Sequence, residues 1–130
     1  MPQRYPHGEL VVVIDCADLD RSERFWAGAL GYAAANPESR HYRSLVPARG
    51  PGIEILLQQV DEAKHGKNRL HLDLRTGDLD AEVTRILRLG ASRLTGQPVT
   101  EDGWRWHILV DPDGNEFCVL EPPRSHSAHP

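Results

Sequence analysis

Cysteine is scarce in this sequence, and long apolar runs are missing. Its two cysteines, Cys16 and Cys118, match neither zinc-ribbon nor thioredoxin spacing, so neither a disulfide framework nor a cysteine-rich metal site is expected. No apolar run approaches the roughly 18 to 20 residues that a membrane-spanning helix needs. Residues 1–8 are too polar for the apolar part of a secretory signal. We therefore expect a cytoplasmic protein that does not enter a membrane.

An excess of positive charge is also lacking. The 15 basic residues are outnumbered by 19 acidic ones, so no broad cationic surface is available to bind phosphates. Nucleic acid is therefore not an expected partner. The hydrophobic share of 39% and the charged share of 26% are typical of a globular protein. A chain of 130 residues has room for one domain of ordinary size.

The first part of the chain predicts a strand followed by a helix. Leu10–Ile14 is an apolar, mostly β-branched run, which is typical of a strand. Asp18 or Asp20 can cap the helix that follows. Gly31 after Leu30 supplies the left-handed residue that commonly ends a helix.

Two later strands carry polar residues among apolar ones. Ile53–Leu57 is predicted to be a largely buried strand with one acid, Glu54. In Leu70–Leu74, strict alternation predicts the three leucines on one face and His71 with Asp73 on the other. A buried carboxylate is costly without a partner, a proton or an ion, and His71 is the obvious partner for Glu54.

The rest of the chain predicts a second helix and a final hairpin. Apolar residues at helical spacing after Asp78 predict a helix that stops at Gly90. Trp104–Val110 and Glu116–Leu120 are predicted strands, joined by a turn at Asp111–Gly114.

An internal repeat organises these elements. Asp-Leu-Asp at residues 18–20 recurs at 78–80, and Leu-Gly at 30–31 recurs at 89–90. Each copy is too small to bury its own sheet face without its twin. The sequence therefore predicts an α+β fold of paired βαβββ units that form a curved sheet around a concave pocket.

The repeat also predicts the domain boundaries. We expect residues 9–121 to form a single domain, with unit one at about 9–60 and unit two at about 69–121. An N-terminal extension and a flexible tail are expected at residues 1–8 and 122–130.

These motifs resemble those of the vicinal oxygen chelate superfamily, which contains glyoxalase I, the bleomycin-resistance proteins and the extradiol dioxygenases. The motifs lie at Asp18–Tyr32, Leu70–Asp80 and Asp111–Phe117, and the resemblance extends from Val11 to Glu121. It is nearest to the glyoxalase-like proteins common in actinobacteria. The resemblance implies a homodimer and a pocket for a small-molecule ligand. It leaves the function open, because one scaffold serves lyases, isomerases, dioxygenases and binding proteins.

The resemblance also implies where a metal would bind. Metal enzymes of the superfamily take one ligand from the first strand and one from the last strand of each unit. These places fall on Val11 and Glu54, and on His71 and Cys118. Valine cannot donate a lone pair, and cysteine suits zinc better than magnesium, manganese or iron. We therefore predict no metal site, with a divalent metal at Glu54 and His71 as the alternative.

Glu54 and His71 are the candidate catalytic residues. His71 is aimed at the pocket, where it can act as a general base or donate a hydrogen bond to a carbonyl; a pocket histidine inherited from a metal-binding ancestor is the other interpretation. A Glu54–His71 pair can be a catalytic dyad, a pair of metal ligands or a structural ion pair.

The other candidates share a predicted place near the pocket. Alternation puts Trp104 and Trp106 on one strand face, where aromatic walls favour a flat organic ligand; ordinary core packing explains them equally well. Arg69 has the same parity as His71 and can bind a carboxylate or phosphate. The predicted ligand-binding residues are Gln58, Arg69, Asp73, Trp104, Trp106 and Cys118.

Three functions fit this sequence. The first is a small-organic-molecule binding protein of glyoxalase or bleomycin-resistance type, without the usual metal. The second is a lyase or isomerase that uses Glu54 and His71 next to a substrate carbonyl. The third is a dimeric accessory domain with a vestigial pocket.

Overall fold

The computed structural model describes residues 3–123 and divides the chain into two compact units, with the boundary between Ala63 and Lys64. Most of the predicted tail, residues 124–130, lies outside the described residues. No helix of the described part is long and apolar enough to cross a membrane. Each unit has its own sheet and its own helix, so the predicted α+β class is confirmed.

The first unit is a five-stranded sheet with one helix. Its strand order is β1-β2-β5-β4-β3, in which only β2 and β5 are parallel. Part of the predicted N-terminal extension is the edge strand β1, because its backbone pairs with β2. The elements are β1 (Gln3–Tyr5), β2 (Gly8–Cys16), α1 (Leu19–Leu30), β3 (Tyr32–Ala34), β4 (Tyr42–Pro47) and β5 (Glu54–Gln59).

Helix α1 begins and ends where the sequence predicts. The Asp18 carboxylate accepts a hydrogen bond from the Arg21 N–H at 3.1 Å, so Asp18 rather than Asp20 is the N-cap. Gly31 has a φ of 70°, which is the left-handed conformation of a C-terminal stop.

The second unit repeats the order of strand, helix and strands. Its sheet runs β6-β10-β9-β7, with β8 also paired to β9, and only β6 and β10 are parallel. The hydrogen-bonded strands thus form two sheets, one per unit, instead of the single sheet expected. The elements are β6 (Asp73–Arg75), α2 (Leu79–Arg88), β7 (Ser92–Arg93), β8 (Val99–Glu101), β9 (Trp104–Val110) and β10 (Glu116–Glu121).

The predicted strand Leu70–Leu74 is shorter than expected. Strand β6 begins only at Asp73, and Leu70 is 91% exposed, so the three leucines do not share a buried face. The preceding segment is held differently: the Asn68 side chain donates to the Glu116 carbonyl at 3.2 Å.

The two faces of the second sheet have different roles. Phe117 and Val119 of β10 are 1% and 0% exposed, as are Val83 and Ile86 of α2, because the helix packs on this sheet. Side chains alternate along a strand, so Cys118, between Phe117 and Val119, faces away from α2. That second face is the one that carries the candidate site.

Candidate functional site

The face of the second sheet opposite α2 lines a cavity of about 360 Å³. This volume lies in the range of roughly 300–1,000 Å³ that small-molecule sites occupy. Apolar side chains of β9 and β10 meet polar groups of β6 and the segment before it. The lining residues are Lys67, His71, Asp73, Leu94, Trp106, Ile108, Glu116, Phe117, Cys118 and Leu120.

Strand pairing brings three of these side chains together. Asp73 of β6 and Cys118 of β10 are register partners on parallel strands. His71 lies two residues before Asp73, in the segment that leads into β6. The imidazole Nε2 of His71 is 3.4 Å from the Asp73 carboxylate, and the ligand atoms of all three side chains lie within 4.8 Å of one another.

The Cys118 thiol is neutral in this arrangement. Burial is the main cause that raises its pKa, and the negative charge of Asp73 adds to it, so the pKa reaches about 11. The positive charge of Lys67 lowers the pKa of Cys118, but by less than burial and Asp73 raise it. A nucleophilic cysteine needs a lowered pKa, so Cys118 is no nucleophile here.

Glu116 anchors the segment that carries Lys67. Its carboxylate accepts the backbone N–H of Asn68 at 2.8 Å and pairs with the Lys64 ammonium at 3.2 Å. The Asn68 hydrogen bond, together with Lys64, lowers the pKa of Glu116. Glu116 and Lys67 were not predicted site residues. The available signal was the alternation that puts Glu116 on the same face of β10 as Cys118.

The two tryptophans of β9 have different surroundings. Trp106 lines the cavity, in agreement with its predicted place. Trp104 does not appear in the cavity wall, and the guanidinium of Arg75 lies 4.9 Å from the centre of its ring. A cation over an aromatic face is a stabilising contact on its own.

The structure does not bring all predicted ligand-binding residues to this cavity. Arg69 is exposed and is not among the lining residues. Gln58 is half-buried on β5 of the first unit, where its register partners are Asp15 and Tyr42. The roles predicted for Arg69 and Gln58 therefore stay predictions.

Glu54 has a partner within its own sheet. The Ser44 hydroxyl of β4 donates to a Glu54 carboxylate oxygen at 2.6 Å. The sequence predicts that a carboxylate in this apolar strand needs a partner, and Ser44 is such a partner. Glu54 belongs to the first unit and His71 to the second, where Asp73 is its neighbour. The Glu54–His71 pair remains a prediction.

Residues 11–120 match the sequence profile of the glyoxalase-like domain. The chain belongs to this family. The resemblance predicted from the sequence motifs is thus confirmed. No significant match to a curated protein sequence is found.

Solved structures of the same superfamily share the glyoxalase-like fold. A glyoxalase/bleomycin resistance protein/dioxygenase family enzyme from Burkholderia phytofirmans PsJN has a TM-score of 0.70 at 17% identity, over 85% of this chain and 95% of that one. The fosfomycin resistance protein FosX from Mesorhizobium loti has a TM-score of 0.69 at 16% identity, over 93% and 97%. A glyoxalase/bleomycin resistance protein from Albidiferax ferrireducens T118 has a TM-score of 0.65 at 23% identity, over 87% and 97%.

In this glyoxalase-like chain, Glu54, His71 and Cys118 offer donor atoms at three of the four metal places that the superfamily resemblance implies. Val11 and Glu54 are register partners in the first sheet, but valine offers no donor atom. In the second unit, Cys118 lies opposite Asp73 rather than opposite His71, so a third donor joins the pair predicted from the sequence. Nitrogen, oxygen and sulfur together are a donor set suited to zinc.

Proposed function

We propose that this glyoxalase-like protein binds a small organic molecule in the cavity of its second unit. The observation that carries the proposal is the division of one sheet face into two parts. Trp106, Ile108 and Leu120 form an apolar wall, and His71 with Asp73 lies beside it. Ligand sites commonly combine an apolar wall with a few polar groups that fix orientation.

The side chains indicate the chemistry of the ligand. A flat ring can lie against the indole of Trp106, which offers a large apolar surface. A carbonyl or carboxylate on that ring can accept hydrogen bonds from His71 or Lys67, both of which line the cavity. The ligand proposed is therefore a flat organic molecule with an oxygen-rich end.

The role proposed is sequestration or resistance rather than turnover. Two observations support it: the Cys118 thiol is neutral, and Val11 removes a donor from the superfamily's metal places. A fosfomycin resistance protein is among the structural neighbours of this chain. We further propose that the protein is cytoplasmic, because it has few cysteines. The superfamily resemblance also implies a homodimer, and we include this in the proposal.

A matched pair of variants tests the binding site. Native mass spectrometry of the protein purified from its own host identifies the bound mass, and calorimetry then measures the affinity. Trp106→Ala should weaken binding at least about tenfold, because it removes the aromatic wall. Trp104→Ala, on the same strand but absent from the cavity wall, should retain the wild-type affinity. Equal losses in both variants would refute this location.

A lyase or isomerase is the second candidate function. The specific observation is the 3.4 Å distance between His71 Nε2 and the Asp73 carboxylate, since a carboxylate at one ring nitrogen orients an imidazole as a general base. The sequence predicted Glu54 in this supporting role. If the protein is an enzyme, His71→Ala should abolish turnover, and Asp73→Asn and Glu54→Gln would show which acid supports it. Release of the bound molecule unchanged by the wild type would exclude catalysis.

A further inference from the structure

We propose that His71, Asp73 and Cys118 form a three-ligand zinc site contained entirely in the second unit. The site lies in the cavity of the proposed function and its role rests on that function, although metal binding itself needs no organic ligand. It shares His71 and Cys118 with the four places implied by the superfamily, but it uses Asp73 and takes nothing from Val11 or Glu54.

The backbone determines the geometry of this site. Asp73 and Cys118 are opposite each other on parallel strands, and the segment just before β6 brings the His71 imidazole to the Asp73 carboxylate. Zinc bonds of about 2.0–2.3 Å in a tetrahedron place neighbouring ligand atoms roughly 3.3–3.8 Å apart. The His71–Asp73 separation of 3.4 Å already falls there, and the 4.8 Å limit for the whole group leaves only a small side-chain adjustment.

The residue types narrow the choice of ion. Sulfur disfavours magnesium and calcium, which bind oxygen ligands, whereas a set of imidazole, carboxylate and thiolate suits zinc. On binding, the Cys118 thiol proton passes to solvent, and the two anionic ligands balance the charge of the dication. Three protein ligands leave one coordination position for water or for an oxygen of the organic molecule.

Two further features support the zinc site: an ion can reach it, and no second group of this kind is found among the described residues. The side chains of His71 and Asp73 are 40% and 45% exposed, so an ion can reach them, while Cys118 is 9% exposed and lies at the base of the group. Within residues 3–123, these three are the only His, Cys, Asp or Glu side chains that form such a group of three.

Cobalt(II) titration of the EDTA-treated full-length protein tests the site, because cobalt reports its ligands in the absorption spectrum. We expect one equivalent to give a thiolate-to-cobalt charge-transfer band in the near ultraviolet, which zinc then removes by displacement. Cys118→Ser should abolish that band. Cys16→Ser replaces the other buried cysteine, which lies in the first unit, and should leave the band unchanged.

Further variants identify the remaining ligands. Asp73→Asn and His71→Ala should each weaken zinc binding by at least about tenfold, because losing a direct ligand costs no less than losing a residue that only supports a ligand. Glu54→Gln should leave the affinity for zinc unchanged. Circular dichroism of each metal-free variant shows whether it is folded, and only folded variants are compared.

The outcomes separate this inference from the proposed function. Absence of a charge-transfer band in the wild type, or a band that persists in Cys118→Ser, would overturn the zinc site. If Glu54→Gln reduced the affinity for zinc as much as Asp73→Asn, that result would also overturn the zinc site. If the EDTA-treated protein nevertheless binds its organic molecule and Trp106→Ala weakens that binding, the proposed function stands without zinc.

Discussion

Asp73 and Cys118 are direct register partners on the parallel strands β6 and β10. The corresponding parallel pairing in the first sheet joins Val11 to Glu54. The two repeated units have therefore diverged at equivalent strands. One sheet has an acid beside an apolar side chain, and the other has a cluster of donor atoms.

The neighbourhood of Cys118 predicts slow reaction with thiol reagents. A pKa raised from 9.0 to about 11 leaves about a hundredfold less thiolate at pH 8, because the thiolate is the reactive form. The alkylation rate of the metal-free Cys16→Ser protein, followed by intact mass, should be at least that much slower when folded than in urea. Similar rates in the two states would contradict the assignment.

An ion cluster in the first unit predicts unequal effects on stability. The Arg43 side chain, 7% exposed, pairs with Glu23 and, at 3.1 Å, with Asp20. Glu23 is 28% exposed and Asp20 is 76% exposed. Glu23→Gln should lower the free energy of unfolding by about 1–3 kcal/mol. Asp20→Asn should lower it by under about 1 kcal/mol, because water screens the exposed pair. Urea unfolding measures both, and a larger loss in Asp20→Asn would be inconsistent with this cluster.

His107 predicts a loss of stability in acid. Its side chain on β9 is buried, and burial is the main cause that lowers its pKa below 6.5. The charges of Arg93 and Arg105 lower it further, while Asp80 opposes them. The unfolded chain then binds more protons, so this contribution to stability is present above pH 6.5 and declines as the pH falls towards the folded pKa.

Urea unfolding midpoints across this pH range test the role of His107. His107→Leu should flatten the pH dependence, since it removes the buried titrating group. His65→Gln, at an exposed histidine of the same unit, should keep the wild-type profile. If the unfolding midpoint of His107→Leu still changed with pH as in the wild type, the acid sensitivity would belong to other groups.

Glu116 predicts local order in the segment before β6. Glu116→Gln removes the charge that pairs with Lys64 and weakens the bond to the Asn68 N–H. Hydrogen exchange at Asn68 should then become faster, with little change in the helix α1 of the first unit. The exposed Glu62→Gln is the control and should leave exchange at Asn68 unchanged. Equal exchange at Asn68 in wild type and Glu116→Gln would show that Glu116 does not hold this segment.

The sequence predicted part of the candidate site correctly. His71, Asp73, Cys118 and Trp106 were predicted from alternation and resemblance, and all four line the same cavity. Alternation does not predict that Trp104, with the same parity as Trp106, lies beside Arg75 instead. Alternation assigns a residue to a strand face, but it does not show how far along the strand the cavity extends.

The amino-acid sequence by itself determined the repeated unit, because an Asp cap and a Gly-containing stop act locally on each helix and apolar periodicity marks its buried face. Only the tertiary structure decided that Asp73 lies opposite Cys118, that Ser44 bonds Glu54, and that Glu116 holds Asn68. These relations join residues that are distant in the chain, and they depend on strand register. A shift in register changes every cross-strand neighbour while leaving the local sequence pattern intact.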